Sequence, residues 1–457
     1  MEIQIEEALN LNLGSPALQF LMQYKVMPAK LGNGRKGFVA FYSACYDVDV
    51  HYSMFVVPSD TLHGIAFDEH GEVLWKKELG IWPSAALYCF TLIDMDQDGI
   101  DEIYIVNNSD PIHPLWVEAY VLERMDVLTG NVTGQWPWPN YGGIQKSMWY
   151  FRNHVFGGYD HGQPVLVTAQ GTYADMYFQA WNPDMTSKWT LSIGENAPGA
   201  RGSHSFPVVD INNDGCDEVL WGERCLSLHD GSELFCIEKD TWNGHSDMCQ
   251  PVFDYDSNRW LIYINRESNE QIGPRIGMYD TSGQPIWTHV DWGHIHKGWV
   301  GRIGKEGRLL ANGMRITGQS KDAFGRYYTG ITEFVYDAMT GAPISLPYSL
   351  FDTAPIDING DGLHEILRNV AAGDTELIDR DGNRICHLGG KVAMNTKILN
   401  FPGEQVMLYY PDGTIRIFRD KNAVDSETAK KRYQLPFYLR NQYARNIENN
   451  ICMLGGI

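Results

Sequence analysis

No run of about 18 apolar residues occurs anywhere in the 457-residue chain, which excludes an ordinary membrane-spanning helix. The opening, MEIQIEEALNLNLGSPALQF, has neither a basic start nor an apolar core, so it does not read as a secretory leader. The expectation is a cytoplasmic protein if the chain begins natively, and a secreted or periplasmic one if a leader has been removed. Eight cysteines are scattered without C-x-x-C or finger-like spacing, which leaves free buried thiols as the reading and argues against a zinc site. A chain of this length needs no disulfide framework. Basic residues are scarce: 36 Lys and Arg stand against 57 Asp and Glu, for a formal net charge of −21. Phosphates would be repelled, so nucleic acid is excluded as a partner, and an acidic ligand needs a local basic patch or bound cations. Helical periodicity is nearly absent outside residues 1–25 and 425–450, and no linker or low-complexity stretch divides the chain.

What is present points to β structure. The chain holds 46 Gly, 14 Trp, 24 Tyr and 18 Phe, a composition suited to many short strands joined by tight turns. Three segments nearly superpose: TLIDMDQDGIDEIYIV (91–106), PVVDINNDGCDEVLWG (207–222) and APIDINGDGLHEILRN (354–369). Each reads as an apolar strand, then D-x-[DN]-x-D-G-x-[DH]-E, then a second apolar strand. Degenerate copies lie at 38–58, 155–168, 249–264, 299–311 and 397–410. Each unit continues into a third and fourth strand about a D-x-x-G-like turn, as in YDTSGQPIWTHV (279–290) and LIDRDGNRICHL (377–388). Four short antiparallel strands, repeated about eight times, define an all-β β-propeller. Seven blades with one irregular unit is the alternative. The expected organisation is one domain over 1–457, with blades over about 26–425 and short terminal extensions, and a monomer is expected.

The acidic turns place side-chain oxygens on alternate residues of a sharp bend, the logic of calcium loops. Candidate calcium ligands, in a mainly structural role, are Asp94, Asp96 and Asp98, then Asp210, Asn212 and Asp214, then Asp357, Asn359 and Asp361. Turns capped by Asp and Asn without an ion are the competing reading. In a propeller the link from first to second strand lies on one face, so these turns line one rim. The links into blades, GARGSHS (199–205), WNGHSDM (242–248) and WGHIHKG (292–298), lie on the opposite rim with the second-to-third strand loops. His113, Tyr173, Arg201, His204, His245, Arg266, His294, His296, Lys297, Arg315 and Lys321 therefore gather around one axial funnel.

A basic funnel of this kind suits an anionic sugar. Uronate elimination requires a cation to neutralise the carboxylate, a base for the acidified C–H, and an acid for the leaving oxygen, and all three residue types are present. The run NHVFGGYDHGQPVLVTAQGTYADMYFQAWN (153–182), followed by GSHSFPVVDINNDGCDEVLWG (202–222) and NGHSDM (243–248), resembles the β-propeller polysaccharide lyases. These are the rhamnogalacturonan lyases and, more distantly, the ulvan and rhamnosyl-glucuronate lyases. The resemblance covers about residues 85–300. It implies calcium-dependent β-elimination at a uronic acid in a rhamnose-containing glycan, and it carries Tyr173, His204 and His245 over as catalytic residues. Arg201 joins them by its place near His204, and His113, Arg266, His294, His296, Lys297 and Arg315 are the expected substrate contacts. Two other functions stay open: a non-catalytic propeller binding glycan or protein, and a glycoside hydrolase using carboxylates from Asp110, Asp175, Asp247 and Glu267.

Overall fold

The computed structural model describes residues 2–14, 25–42, 46–48, 56–58, 61–81, 90–108, 120–138, 153–172, 175–204, 206–255, 257–267, 273–322 and 325–441. His113, Tyr173 and Asp110 lie outside the described residues. Eight four-stranded antiparallel sheets follow one another along the described chain, blades 1 to 8, at 25–81, 90–137, 153–193, 208–236, 246–289, 294–337, 353–387 and 391–420. Eight blades form, as the repeat spacing predicts.

Strand position within a blade explains the sequence pattern. Inner strands are covered on both faces and read as apolar runs, as in residues 406–409 of the fully buried strand Gln405–Tyr409. Outer strands have one wet face and alternate, as in Val132–Pro137.

Two expectations at the N-terminal end need correction. The pair of strands expected over 38–58 forms one step earlier: Lys25–Lys30 pairs with Lys36–Tyr42. The turn between them uses left-handed backbone at Gly32, Asn33 and Gly34, which Gly and Asn adopt cheaply. Val56–Pro58 instead joins Tyr46–Val48 in a separate two-stranded sheet. The region 1–25 was expected to be a helix-prone extension. It contains the strand Ile5–Asn12, which pairs antiparallel with Thr414–Asp420 as the outermost strand of blade 8. Strands from opposite ends of the described chain thus meet in one blade and close the ring.

Blade 6 departs from the pattern. Its inner strand is split into His294–His296 and Val300–Gly301, both paired to Leu310–Asp322. That strand and its partner Gly325–Asp337 are 13 residues each. Pairing to the inner strand stops at Ile316, yet the hairpin ladder continues from Gly318 opposite Thr329 to Asp322 opposite Gly325. Second strands run away from the acidic turns, so the hairpin overhangs the opposite rim.

Two helices, α1 (Glu427–Gln434) and α2 (Pro436–Asn441), follow blade 8. Ser426 caps α1 by accepting the Ala429 N–H, and Pro436 sets the break before α2. Tyr438 is fully buried and donates to Glu404 Oε1 at 2.6 Å; Phe437 packs edge-on to Trp260 at 5.1 Å. The pair sits on the acidic-turn end of the axis. There it borders a cavity of about 410 Å³ whose walls include Met27, Phe90, Leu92, Val155 and Phe206.

Candidate active site and acidic loops

The opposite end of the axis carries the histidines. Backbone bonds fix two of them: the His204 N–H donates to Ser246 O at 3.1 Å, and the Glu267 N–H to His245 O at 3.1 Å. Glu267, buried at the end of the strand Arg259–Arg266, is the hub. Its Oε2 lies 2.7 Å from His204 Nε2 and 2.7 Å from His245 Nε2. Its Oε1 lies 2.9 Å from His294 Nε2 and 3.1 Å from His296 Nε2. His296 Nδ1 is held at 3.0 Å by Asp247 Oδ1, and Asp247 Oδ2 accepts the Lys297 N–H at 2.6 Å.

Charge in this cluster is mutually enforced. Burial alone would push the Glu267 carboxyl up, but the imidazoles of His296, His204 and His245 outweigh it and hold the group well below the usual carboxylate range. Burial likewise opposes protonation of His296, and Glu267 and Asp247 overcome it, raising the imidazole well above its usual value. His204 and His296 side chains are 1% exposed, whereas those of His245 and His294 are 15% and 19% exposed. The first two therefore hold the frame, and the second two present edges to the funnel. His204, His245 and Glu267 form one triplet that fits a metal ion, and Glu267, His294 and His296 form another. Nε2 of His294 and Nε2 of His296 stand 2.5 Å apart.

Other expected site residues are placed differently. The Arg201 guanidinium is buried and donates to the carbonyls of Gly194 and Ala197. It ties down a loop and is absent from the histidine cluster. Arg266 is buried against Glu223 at 2.6 Å and Glu238 at 2.7 Å, with its guanidinium 4.4 Å from the Trp242 ring. It is an interior ion pair and does not line the funnel. Lys297 Nζ bonds Asp352 Oδ1 at 2.8 Å and is 14% exposed. Arg315 stacks on Trp292 with its guanidinium carbon 3.9 Å from the ring centre. Of the carboxylates that a hydrolase would need, Asp247 and Glu267 are both bound to His296, and Asp175 accepts the Glu195 N–H at 2.9 Å.

At the other rim the three acidic loops share one bonding pattern. The first aspartate accepts the N–H of the sixth residue at 3.0 Å in each: Gly99 to Asp94, Gly215 to Asp210, and Gly362 to Asp357. The fourth and sixth residues take left-handed backbone, Gln97 and Gly99, Asn213 and Gly215, Gly360 and Gly362. The ninth residue of each loop is a glutamate that the sequence reading left out: Glu102, Glu218 and Glu365. Burial first, and then the neighbouring aspartates, push these carboxyls up to about 7, about 8 and about 8. Among the described residues, Asp94 Oδ1, Asp357 Oδ1 and Glu365 Oε2 are buried without a hydrogen-bond partner. Unpaired buried carboxylate oxygens are costly, and an all-oxygen set of this kind fits a hard divalent cation. In the third loop, Arg432 of α1 bonds Asp357 Oδ2 at 2.9 Å and Gly362 O at 2.8 Å. Blade 3, whose turn has lost the motif, holds its carboxylate with side chains from its own sheet and from blade 4. Lys188, His161 and His229 surround Asp160 at 2.7 to 2.9 Å and, against the effect of burial, hold it well below the usual range.

Residues 154–308 match the C-terminal domain of rhamnogalacturonan lyase family 11. The rhamnogalacturonan exolyase YesX of Bacillus subtilis (strain 168) is 32% identical over 138 residues, 28% of this chain and 21% of that protein. The rhamnogalacturonan endolyase YesW of the same strain is 30% identical over 138 residues, again 28% and 21%. The resemblance is to rhamnogalacturonan lyases. The matched stretch spans about a fifth of the length of these curated relatives. The crystal structure of exotype rhamnogalacturonan lyase YesX superposes with a TM-score of 0.70 at 18% identity, covering 97% of this chain and 80% of that one. The Bacillus licheniformis rhamnogalacturonan lyase PL11 gives 0.71 at 19%, covering 98% and 81%. At such identities the likeness establishes the fold.

The lyase-like segment holds His204, His245, Asp247, Glu267, His294, His296 and Lys297 together with the second acidic loop. The first and third loops fall outside it. The importance of Glu267 and Asp247 was open to sequence reasoning only as a list of funnel carboxylates. The link from His296 to both is a three-dimensional fact with no local signature.

Proposed function

We propose that this chain is a polysaccharide lyase that cleaves rhamnogalacturonan by β-elimination next to a uronic acid. The observation that carries the reading is the convergence of His204, His245, His294 and His296 on Glu267 within the segment that matches family 11.

In the reaction a base removes the proton on C5, the freed electron pair forms the C4–C5 double bond, the C4–O bond breaks, and the leaving oxygen takes up a proton. His245 and His294 have the exposed imidazole edges and serve proton transfer; His204 and His296 position Glu267 between them. Tyr173, which follows the strand Gln163–Gln170 in the sequence, is the proposed donor to the leaving oxygen. A divalent cation held by Glu267 with either histidine pair would supply charge to neutralise the uronate and so acidify C5–H. Lys297, paired with Asp352, lies at the same rim. The acidic loops at Asp94, Asp210 and Asp357, with Glu102, Glu218 and Glu365, are proposed as calcium sites that stabilise the blades and take no part in the chemistry.

The test is incubation with rhamnogalacturonan while the far-ultraviolet absorbance of the unsaturated product is followed. His204→Ala and Tyr173→Phe should abolish the signal with the fold intact by circular dichroism. Unchanged turnover in both variants removes them from the site.

A further inference from the structure

The link into blade 6 carries an aromatic ring whose exposure is out of keeping with its surroundings. Trp292 is 59% exposed, the highest value among the large hydrophobic side chains described as exposed. It stands two residues before His294. One of its faces is covered by the Arg315 guanidinium at 3.9 Å, and Phe334 approaches the same guanidinium at 5.4 Å. Arg315 is opposite Ile295 in the ladder, so it projects from the sheet face that His294 and His296 do not use. Among the described residues, its Nε is buried without a hydrogen-bond partner. The stack is built into the backbone: a Cβ on Gly293 would meet Arg315 Cδ at 2.5 Å, and Gly293 itself has left-handed φ (+101°). Beside it the overlong hairpin of blade 6 rises above the rim, giving the funnel a wall on this side.

From this arrangement we infer a glycan subsite on the rim that carries His294, made of Trp292 and Arg315 and specific for a glycan segment that carries a carboxylate. The indole offers a flat apolar face at the level of the rim, on which a pyranose ring stacks. The guanidinium, pre-oriented by its two aromatic neighbours, offers a planar donor fork that matches a carboxylate and does not match a neutral hydroxymethyl group. In a polymer with a repeating acidic sugar, the open indole face takes one ring and the guanidinium, on the other side of the indole, takes the carboxylate of a neighbouring one. The inference deepens the lyase reading and rests on it for the identity of the polymer.

The test separates binding from cleavage. Binding of uncleaved galacturonate-containing oligosaccharides, and of the same oligosaccharides with carboxyls reduced to alcohols, is measured by calorimetry on the full chain. Trp292→Ala should weaken both about tenfold, and Trp292→Phe should restore most of the loss. Arg315→Ala should weaken only the acidic ligand, so that the preference for acidic over reduced disappears, and Arg315→Lys should restore it poorly. On polymer, both variants should raise KM and leave kcat within about twofold, as for uniform binding. Wild-type affinity in both variants overturns the subsite. Failure of the wild type to cleave any uronate polymer, with binding still dependent on Trp292 and Arg315, would overturn the lyase reading and leave the subsite standing.

Discussion

Replacing Glu267 with Gln tests the centre of the candidate site without changing its shape. The substitution removes one negative charge from among four imidazoles at 2.7 to 3.1 Å. Breaking a buried charge pair from one side costs about 3–5 kcal/mol. Unfolding entropy of about 2.1 cal/mol/K per residue, over 457 residues, makes each kcal/mol about 1 °C, so the melting temperature should fall about 3–5 °C. The loss should depend on pH in a defined way. Glu267 sits below its ordinary value, so its contribution is present above about pH 4.5 and vanishes as pH falls through the folded value. His296 sits above its ordinary value, so its contribution is complete below about pH 6.5 and vanishes as pH rises through the folded value. Both are whole between about 4.5 and 6.5, and there the destabilisation by Glu267→Gln should be largest. Scanning fluorimetry across pH gives the stability, and product absorbance gives the rate, which should drop at least about 100-fold. A variant with unchanged melting at every pH and a rate within about twofold of wild type would refute the account of the cluster.

Three further outcomes follow from the geometry. Saturating calcium should raise the melting temperature by about 8 °C over chelated protein, from about 2.7 kcal/mol per loop at a hundredfold excess over Kd; no shift would mean the loops work without an ion. Because Glu102, Glu218 and Glu365 are raised to about 7, 8 and 8, the chelated fold holds extra protons relative to the unfolded chain between about pH 4.5 and 8. Its stability should therefore fall as pH rises through that window, and the gain from calcium should grow, as melting curves at pH 5 and pH 8 would show. Arg432→Met leaves Asp357 buried without its guanidinium partner and should lower the melting temperature about 3–5 °C, with hydrogen exchange faster over 427–441.

Much of the ring was readable from local pattern. The D-x-[DN]-x-D-G repeat marked the inner hairpins of blades 2, 4 and 7 because the bend needs those residues in that order, and the division into two rims followed from strand alternation alone. What was missed depends on contacts distant in sequence. Strand Ile5–Asn12 is specified by pairing with Thr414–Asp420, about 400 residues away, and carries no signal of it. In blade 1 the apolar stretch 38–58 outweighed the Gly-Asn-Gly turn that sets the true hairpin. Arg201 and Arg266 looked like funnel cations because charge was visible and their partners, Gly194, Ala197, Glu223 and Glu238, were not. The ninth-position glutamates stood in the quoted motif, but only the crowding of their carboxyls shows what they share with the aspartates.

The most direct measurement counts two products of one digestion. Full-length protein acts on rhamnogalacturonan in calcium, and new reducing ends and new unsaturated ends are quantified together, with His204→Ala as control. The account predicts one unsaturated end for every new reducing end and neither in the variant. Reducing ends that accumulate without double bonds, or equal cleavage by His204→Ala, would contradict it.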